Sequence, residues 1–389
     1  MRDIIYLLNS NPINMKHNIY LGLLAGCLSL ASISCSENQN NLPVTEENNK
    51  PEEVNFTVDT LYSALENPWG MVWLEDGRML VTERKGEILI FENDEYTGNK
   101  IQGMPDVYAR GQGGLLDIQL HKGWVYIAYA KPMSGGGATT IMRARVDGNS
   151  LVDQEELIVT SPASSAGVHF GSRIVFDNED YLYFSSGERG TKENAQDLTN
   201  SHGKIHRINL DGSIPDDNPF VNEPNAITSI WTYGNRNPQG MVYDAENNRI
   251  WQHEHGPRGG DELNLVVKGE NYGWPLVTFG IDYDGSTITD IQEKEGIKPP
   301  VHYWDPSIAP CGMALVTSDK YPGWKGNLLI GALAHQHVAR VTLDGTSFGS
   351  EERLLQDIGR VRHVAQSTDG YIYVVTESPG LLVKLVPQD

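Results

Sequence analysis

Beyond residue 55, apolar residues occur in short runs that are separated by turns rich in Gly, Asp and Asn. The runs contain many Val, Ile, Leu and Tyr residues, and they do not repeat with the 3.6-residue period of an amphipathic helix. Short runs of this composition, bounded by turn-forming residues, are typical of β-strands. The pattern therefore predicts an all-β fold for the chain from residue 55 onward.

One phrase, a turn followed by a strand, a second turn and a second strand, recurs along this region. The six copies begin at Asp76, Lys122, Glu179, Asn247, Lys325 and Asp369. All-β repeats of about forty or more residues are typical of β-propellers, in which neighbouring blades bury each other's apolar faces. The sequence therefore predicts a six-bladed β-propeller over residues 55–389.

The spacing of the repeats predicts further details of this propeller. Unequal intervals indicate long loops on the top face in blades three to five, and the strand from Phe56 is expected to join the last blade and close the ring. A pair of β-sandwiches is the alternative, but it offers no reason for the same phrase to recur six times.

Length and charge narrow the classes of function. The 389 residues have 39% apolar content and a net charge of −21, which fits one large globular domain or two ordinary ones. No run of Lys and Arg is present, so the composition argues against nucleic acid or an anionic membrane surface as a partner. A local cluster of arginines is therefore unusual in so acidic a chain.

The first 35 residues resemble a bacterial export segment. Lys16 and His17 precede an apolar run of small residues, 19–34, which ends at Cys35 and is followed by a polar stretch. This order predicts a lipoprotein-type signal over residues 1–35, with lipid attached at Cys35, and a flexible tether over residues 36–54. Cys27, after L-A-G, is the alternative attachment point.

This segment sets the expected location of the protein. It predicts an exported protein, in the periplasm or on the cell envelope, that touches a membrane only through its lipid anchor. After removal of the segment, Cys311 is the one cysteine left in the folded part, so no internal disulfide is possible.

Two loop motifs contain candidate catalytic groups. In G-V-H-F-G-S-R, His169 lies among small residues just before a strand, where a neutral imidazole could act as a general base. A core histidine is the alternative. In Y-G-N-R-N-P-Q-G, Arg236 and Asn237 occupy a turn, where the guanidinium could stabilise a developing oxyanion or simply face solvent.

A third motif, G-R-V-R-H, places two arginines on one face of an extended segment. Side chains alternate along a strand, so Arg360 and Arg362 point the same way. Two adjacent guanidinium groups repel each other unless an anion lies between them. That anion could be a ligand or an acidic side chain of the protein.

The stretch 253–264, H-E-H-G-P-R-G-G-D-E-L-N, has the residue types of a metal site. Its two histidines and its carboxylates could bind zinc, but a Gly-Pro step follows directly and prevents the helix that would align them. The carbonyl groups of Gly256 and Pro257 are the other possible ligands. Carbonyl oxygens suit a hard cation such as Ca²⁺.

Taken together, these motifs resemble the soluble quinoprotein aldose sugar dehydrogenases of the glucose/sorbosone dehydrogenase family. The resemblance covers residues 56–387 and rests on G-Q-G-G-L-L-D (111–117), H-F-G-S-R (169–173), Y-G-N-R-N-P-Q-G (233–240), H-G-P-R-G-G-D-E-L-N-L-V-V-K-G-E-N-Y-G-W-P (255–275) and R-V-R-H-V-A-Q-S-T-D-G-Y-I-Y (360–373). The family has a six-bladed propeller, as the repeat count predicts.

The resemblance implies an enzyme that contains pyrroloquinoline quinone (PQQ) and Ca²⁺. It would oxidise the anomeric hydroxyl of an aldose to a lactone by hydride transfer to PQQ, and then pass electrons to a quinone or a small redox protein. His169 would be the general base, Arg236 would support the oxygen that gains charge, and Ca²⁺ on the carbonyls of Gly256 and Pro257 would act as a Lewis acid.

The same resemblance assigns the remaining site residues. The implied cofactor contacts are Gln112, His169, Arg236, Asn237, Arg360 and Arg362, and the implied ligands of a second, structural Ca²⁺ are Glu262, Tyr272 and Asp282. Two positions depart from the glucose-oxidising members: Ala334 replaces a lysine that contacts the cofactor, and Val168 replaces an acidic residue. A sharp preference for glucose is therefore not expected.

Two other functions remain open at the level of the sequence. One is a Ca²⁺-dependent lactonase-type propeller, whose metal would be held on the central axis by carboxylate and amide side chains. The other is a surface lipoprotein that binds glycan or protein through its loops without catalysis. The sequence leaves the oligomeric state undetermined.

Overall fold

The computed structural model describes residues 54–388, which form six four-stranded sheets arranged as the blades of a β-propeller. Within each sheet, neighbouring strands pair antiparallel, and the predicted all-β, six-bladed fold is confirmed. The predicted export segment, 1–35, and nearly all of the tether lie outside the described residues. Within the described part, no helix is long and apolar enough to cross a membrane.

Blades one to three follow the chain order. They contain β2 Pro68–Trp73, β3 Met79–Glu83, β4 Glu87–Glu92 and β5 Glu95–Lys100; then β6 Leu115–His121, β7 Trp124–Met133, β8 Gly136–Asp147 and β9 Ser150–Val159; then β10 Ile174–Phe176, β11 Tyr181–Ser186, β12 Lys204–Asn209 and β13 Ile230–Tyr233. A short 3₁₀ helix, Lys192–Ala195, lies between β11 and β12.

Blades four to six complete the ring. They contain β14 Pro238–Asp244, β15 Arg249–Glu254, β16 Asp261–Val266 and β17 His302–Trp304; then β18 Pro310–Leu315, β19 Leu328–Ala332, β20 His337–Asp344 and β21 Ser347–Leu354; then β22 Val361–Gln366, β23 Ile372–Thr376 and β24 Leu382–Pro387, with β1 Phe56–Tyr62 at the edge.

The phrase that repeats in the sequence corresponds to the same structural position each time. Each copy contains the turn before the second strand of a blade and then that strand, namely β3, β7, β11, β15, β19 or β23. The second strand has a neighbour on both sides and is buried almost throughout. It therefore needs the same apolar run, and the tight turn before it needs the same Gly, Asp or Asn residues.

The ring is closed by pairing the first strand with the last. Strand β1 runs antiparallel to β24, with Phe56 opposite Pro387 and Thr60 opposite Val383. Backbone hydrogen bonds thus join the two ends of the described chain within one sheet. The predicted closure of the last blade by the strand from Phe56 is confirmed.

The hydrophobic core is divided among the interfaces between blades. Blades two and three, for example, bury Tyr126 and Ile141 against Leu182 and Phe184. Comparable clusters occupy the other five interfaces. Each fully buried aliphatic or aromatic side chain contributes about 1.5–3 kcal/mol, so the packing stabilises the ring without a disulfide.

Arg173 occupies the central axis, where it meets the innermost strands of the other five blades. Its guanidinium donates to the backbone oxygens of Gln239 (2.7 Å) and Arg362 (3.1 Å) and lies 3.2 Å from Asp117 Oδ1. The remaining contacts are His363 Nδ1 at 3.0 Å, Cys311 Sγ at 3.7 Å and the ring of Trp69 at 3.8 Å. This buried layer separates the two ends of the axis.

The long connections do not all reach the same end of the propeller. Residues 187–203 connect β11 to β12 at the end where His169 lies, and residues 267–301 turn back to that end, where Ile281 pairs with Arg258. The long connection of blade five, 316–327, instead leaves the opposite end, between β18 and β19, so the prediction of a long top-face loop in blade five is wrong. Blades three and four therefore supply the long loops around the candidate site.

Candidate active site

Loops from all six blades meet around a cavity of about 290 Å³ at the top of the axis. It is lined by Trp69, Arg84, Gln112, Leu116, Phe170, Gly171, Asn237, Gln239, His255, Ala309, Leu333, Arg360, Arg362 and Glu377. This volume is at the lower end of the range for small-molecule sites. Four of the predicted cofactor contacts, Gln112, Asn237, Arg360 and Arg362, are among the lining residues.

The two predicted catalytic residues lie directly next to this lining. His169 precedes Phe170 and Arg236 precedes Asn237 in the chain. The backbone N–H of His169 donates to Gln112 Oε1 at 2.7 Å, so a cavity residue also fixes the position of the histidine. The structure therefore brings His169, Arg236 and the four lining residues into one site.

A buried carboxylate holds the imidazole of His169. Nδ1 lies 2.6 Å from Glu188 Oε1, and Glu188 is 2% exposed. Burial lowers the pKa of His169 below its usual value, the hydrogen bond to Glu188 opposes this shift, and the charge of Arg236 adds to it. The imidazole is therefore neutral near pH 7, as a general base must be.

The backbone around His169 is tightly constrained. His169 itself has a φ of 54°, which is uncommon for a residue with a side chain. A Cβ at Gly187 would lie 2.3 Å from the backbone oxygen of His169, so only glycine fits where β11 passes the histidine. Strain held in place by surrounding structure is typical of functional sites.

Arg189, the neighbour of Glu188, secures the loop that leads to His169. Its guanidinium donates to the backbone oxygens of Val168 (2.9 Å), Ala166 (2.5 Å) and Gly137 (2.9 Å) and lies 3.6 Å from the ring of Phe170. Glu188 and Arg189 are functional residues that the sequence analysis missed. The available signal was a charged pair placed directly after a buried strand, in S-S-G-E-R-G.

Arg236 is connected to the histidine side of the site through its backbone. Its carbonyl accepts a hydrogen bond from the N–H of Glu188 at 2.9 Å, while its own N–H donates to Glu254. The guanidinium Nη1 donates to the oxygens of Gly256 (2.7 Å) and His255 (3.1 Å). Its Nε is buried and has no partner among residues 54–388.

Glu377 is the acidic side chain that lies between Arg360 and Arg362. Arg362 donates to Glu377 Oε1 from Nε (2.9 Å) and Nη2 (2.5 Å), and Arg360 Nε lies 3.5 Å from Oε2. Burial alone would raise the pKa of Glu377, but Arg362 and the other nearby guanidinium groups hold it below its usual value. Of the two anions considered from the sequence, the protein therefore provides the acidic side chain.

The two histidines of the stretch 253–264 contact backbone oxygens rather than each other. His253 Nε2 lies 3.2 Å from the oxygen of Gly312, and His255 Nε2 lies 2.8 Å from that of Pro310. Burial lowers the pKa of His253 to about 3 and that of His255 well below its usual value. Both rings connect blade four to blade five.

The carbonyl group of Gly256, a predicted Ca²⁺ ligand, faces Arg236 in this structure. Gly256 and Pro257 are buried, and a Cβ at Gly256 would lie 2.3 Å from the oxygen of Gly260 and 2.4 Å from that of Gly259. Backbone oxygens thus crowd this turn. Within the described region, no cluster of three or more His, Cys, Asp or Glu side chains could hold a metal.

The three residues predicted for a structural Ca²⁺ are only partly brought together. Glu262 and Tyr272 line the same small pocket next to Arg236, whereas Asp282 accepts a hydrogen bond from Lys192 Nζ at 2.6 Å. Burial, together with the charge of Glu254, raises the pKa of Glu262 above its usual value. A buried carboxylate of this kind needs a proton or a cation.

Comparisons with known proteins show which sequences and structures this chain resembles. The family described as glucose/sorbosone dehydrogenase matches residues 65–384. The chain is 41% identical over 345 residues to the aldose sugar dehydrogenase YliI of Escherichia coli, a match that covers 85% of this chain and 93% of that protein.

Two solved structures share the fold over most of the chain. The apo form of the soluble aldose sugar dehydrogenase from Escherichia coli has a TM-score of 0.83 at 39% identity, and covers 86% of this chain and 100% of its own. The PQQ-bound aldose sugar dehydrogenase of Streptomyces coelicolor has a TM-score of 0.72 at 26% identity, covering 87% of this chain and 100% of its own.

Proposed function

Because the chain belongs to the glucose/sorbosone dehydrogenase family, we propose that it oxidises the anomeric hydroxyl of aldose sugars to lactones with PQQ as the hydride acceptor. The similar Escherichia coli protein is named an aldose sugar dehydrogenase, and the similar Streptomyces coelicolor structure contains PQQ. The single observation that carries the proposal is the imidazole of His169, held by Glu188 beside a cavity that contains several arginines.

The residues present fit PQQ, which is a flat quinone with three carboxylates. Arg360 and Arg362 offer guanidinium groups at one side of the cavity, and Gln112 and Asn237 offer amide groups. The buried Nε of Arg236, without a partner among the described residues, is a donor that a bound ligand could use. When bound, PQQ supplies the quinone carbonyl that accepts a hydride and its two electrons.

His169 removes the proton from the sugar. Since a carboxylate only accepts hydrogen bonds, the proton of the imidazole lies on Nδ1, next to Glu188, and Nε2 presents its lone pair. As Nε2 takes the proton of the anomeric hydroxyl, the hydrogen on C1 departs as hydride with its electron pair and the C1–O bond becomes the lactone carbonyl. Glu188 then stabilises the imidazolium.

Arg236 stabilises the oxygen that gains negative charge during this step. Its guanidinium lies 5.3 Å from the ring of Trp274 and donates to the oxygen of His255, so it is oriented before the sugar binds. A pre-oriented cation in a partly dry site stabilises negative charge better than water does.

Calcium belongs to the same proposal. The carbonyls of Gly256 and Pro257 are hard oxygen donors on a rigid turn, which is the donor chemistry of Ca²⁺. A cation there would bind the oxygen of Gly256 in place of the hydrogen bond from Arg236 Nη1. That N–H group would then be available to a ligand. Glu262 and Tyr272, with Asp282 only after a movement away from Lys192, would hold a second Ca²⁺.

The remaining features are proposed from the sequence. Electrons would pass to a quinone or a small redox protein, and the protein would be exported to the periplasm or the cell envelope with lipid on Cys35. A lactonase-type reaction receives no support here. Such a propeller would hold Ca²⁺ on the central axis, and the guanidinium of Arg173 occupies that position.

The test is reconstitution of the purified full chain. The protein freed of cofactor is mixed with PQQ and Ca²⁺, and dye reduction is followed with several aldoses while the product is analysed for lactone. We expect dye reduction that requires both PQQ and an aldose. A chain that binds PQQ yet reduces no dye with any aldose would contradict the proposal.

A further inference from the structure

Arg84 is a cationic lining residue of the cavity that neither the sequence motifs nor the family resemblance identified. It follows β3 directly and reaches the site from blade one. Its Nη1 donates to the oxygen of Gly111 (2.6 Å) and its Nη2 to Asn67 Oδ1 (2.8 Å). Gly111 immediately precedes Gln112, so this guanidinium is attached to the loop that supports His169.

Both acceptors of Arg84 are neutral, and its charge is not matched by a direct partner. Among residues 54–388, no carboxylate oxygen lies within 4.0 Å of its guanidinium nitrogens. Its Nε is buried, and no atom of the described residues accepts a hydrogen bond from it. Burial lowers the pKa of Arg84, and so does the charge of Arg362, while Glu377 opposes the shift. The side chains of Arg84 and Arg362 line the same cavity.

The lining of the cavity therefore carries excess positive charge. Three guanidinium groups, those of Arg84, Arg360 and Arg362, face one carboxylate, that of Glu377. Glu377 is already engaged by Arg360 and Arg362. In a chain with a net charge of −21, this excess of cations, of which Arg362 is buried and Arg84 half-buried, favours an anionic ligand.

We infer that Arg84 is a third cationic contact for a carboxylate of PQQ, beside Arg360 and Arg362; this assignment rests on the proposed function. A guanidinium fixed by two neutral acceptors keeps its remaining N–H group and its full charge for the ligand. The contact also supplies a cation to a cavity that lacks the lysine of the glucose-oxidising members. That position is Ala334 here, next to the lining residue Leu333.

The test is a titration of cofactor binding that does not depend on turnover. PQQ is added with Ca²⁺ to the full-length apoprotein, and the dissociation constant is measured by fluorescence quenching or equilibrium dialysis for the parent, Arg84→Gln and Arg84→Lys. Arg78→Gln is the matched control, since Arg78 precedes the same strand at its opposite end and pairs with Asp76. Thermal melts of the apoproteins verify folding.

We expect Arg84→Gln to raise the Kd for PQQ by about tenfold or more and to weaken its dependence on salt, because one charge-assisted contact is lost. Arg84→Lys should stay within about threefold of the parent, and Arg78→Gln should match it. The assignment is overturned if Arg84→Gln binds PQQ like the parent. It is also overturned if Arg84→Lys binds PQQ as weakly as Arg84→Gln. In that case the two hydrogen bonds to Asn67 and Gly111 determine the affinity, and the charge does not. A parent that binds no PQQ removes the proposed function together with this assignment.

Discussion

The imidazole of His169 and the carboxylate of Glu188 form one buried unit, with Nδ1 and Oε1 2.6 Å apart. Glu188 comes from the end of β11, and His169 from the loop before β10, the adjacent strand of blade three. Their pairing fixes which nitrogen carries the proton. It also determines how the activity should depend on pH.

Replacing Glu188 by Gln should lower the activity and shift its pH profile. Protonated His169 cannot act as a base, so kcat/KM falls as the pH drops through the pKa of His169, which burial places below 6.5. Glu188 raises that pKa, so its loss should move the acidic limb to lower pH, and kcat should fall by about two to four orders of magnitude. The pH dependence of kcat/KM measures both effects.

The control for this substitution is Glu193→Gln, an exposed acidic residue in the 3₁₀ helix of the same loop. It should leave the profile and kcat unchanged. A Glu188→Gln protein whose acidic limb stays where it is in the parent would show that this carboxylate does not act through His169.

Replacing Arg173 by Met should destabilise the whole ring. The substitution leaves Asp117 buried without its cationic partner and removes donors to Gln239 and Arg362. Losing one member of a buried ion pair costs about 3–5 kcal/mol. Urea denaturation of the full chain should show a loss of this size, against little change for Arg353→Met, since Arg353 is exposed. A loss of unfolding free energy below about 1 kcal/mol would mean that the contacts of Arg173 on the axis contribute little to stability.

Removing divalent cations should abolish sugar oxidation, and Ca²⁺ should restore it better than Mg²⁺. The ligands proposed at Gly256 and Pro257 are backbone carbonyls, which suit the longer and more variable bonds of Ca²⁺, whereas Mg²⁺ requires a near-octahedral shell and retains water. Chelation of the PQQ-loaded protein, followed by titration of each ion during dye reduction, measures the difference. Full activity after chelation would contradict the proposed calcium site.

Replacing Cys35 by Ser should release the protein from the membrane fraction. A lipid on Cys35 is the predicted anchor, and the tether to residue 54 is polar. Fractionation of cells that produce the full chain, with Cys27→Ser as the matched control, separates the two candidate positions. If only Cys27→Ser releases the protein, the attachment point is at residue 27 instead.

The sequence predicted the parts of this molecule that depend on local pattern. Six copies of one phrase predicted six blades, because each blade needs the same buried second strand. The pair Arg360 and Arg362 was visible from the alternation of side chains along a strand. These features require only residues that are close together in the chain.

Contacts between distant segments were not predictable in this way. Arg84 meets the loop at Gly111, Arg173 reaches His363 across 190 positions, and Glu377, just after β23, neutralises the two arginines. Single charged residues at strand ends carry no periodic signal, and their partners depend on how the ring closes. The predicted grouping of Asp282 with Glu262 likewise depended on a loop, 267–301, whose course the sequence does not specify.

The turnover of His169→Gln in the PQQ-loaded full chain tests most directly whether His169 is the catalytic base. We expect kcat for aldose oxidation to fall by about a thousandfold, within the usual range for loss of a general base, while the Kd for PQQ stays within a few-fold of the parent. Turnover within a few-fold of the parent, with PQQ bound, would contradict the assignment of His169 as the base on which the proposed function depends.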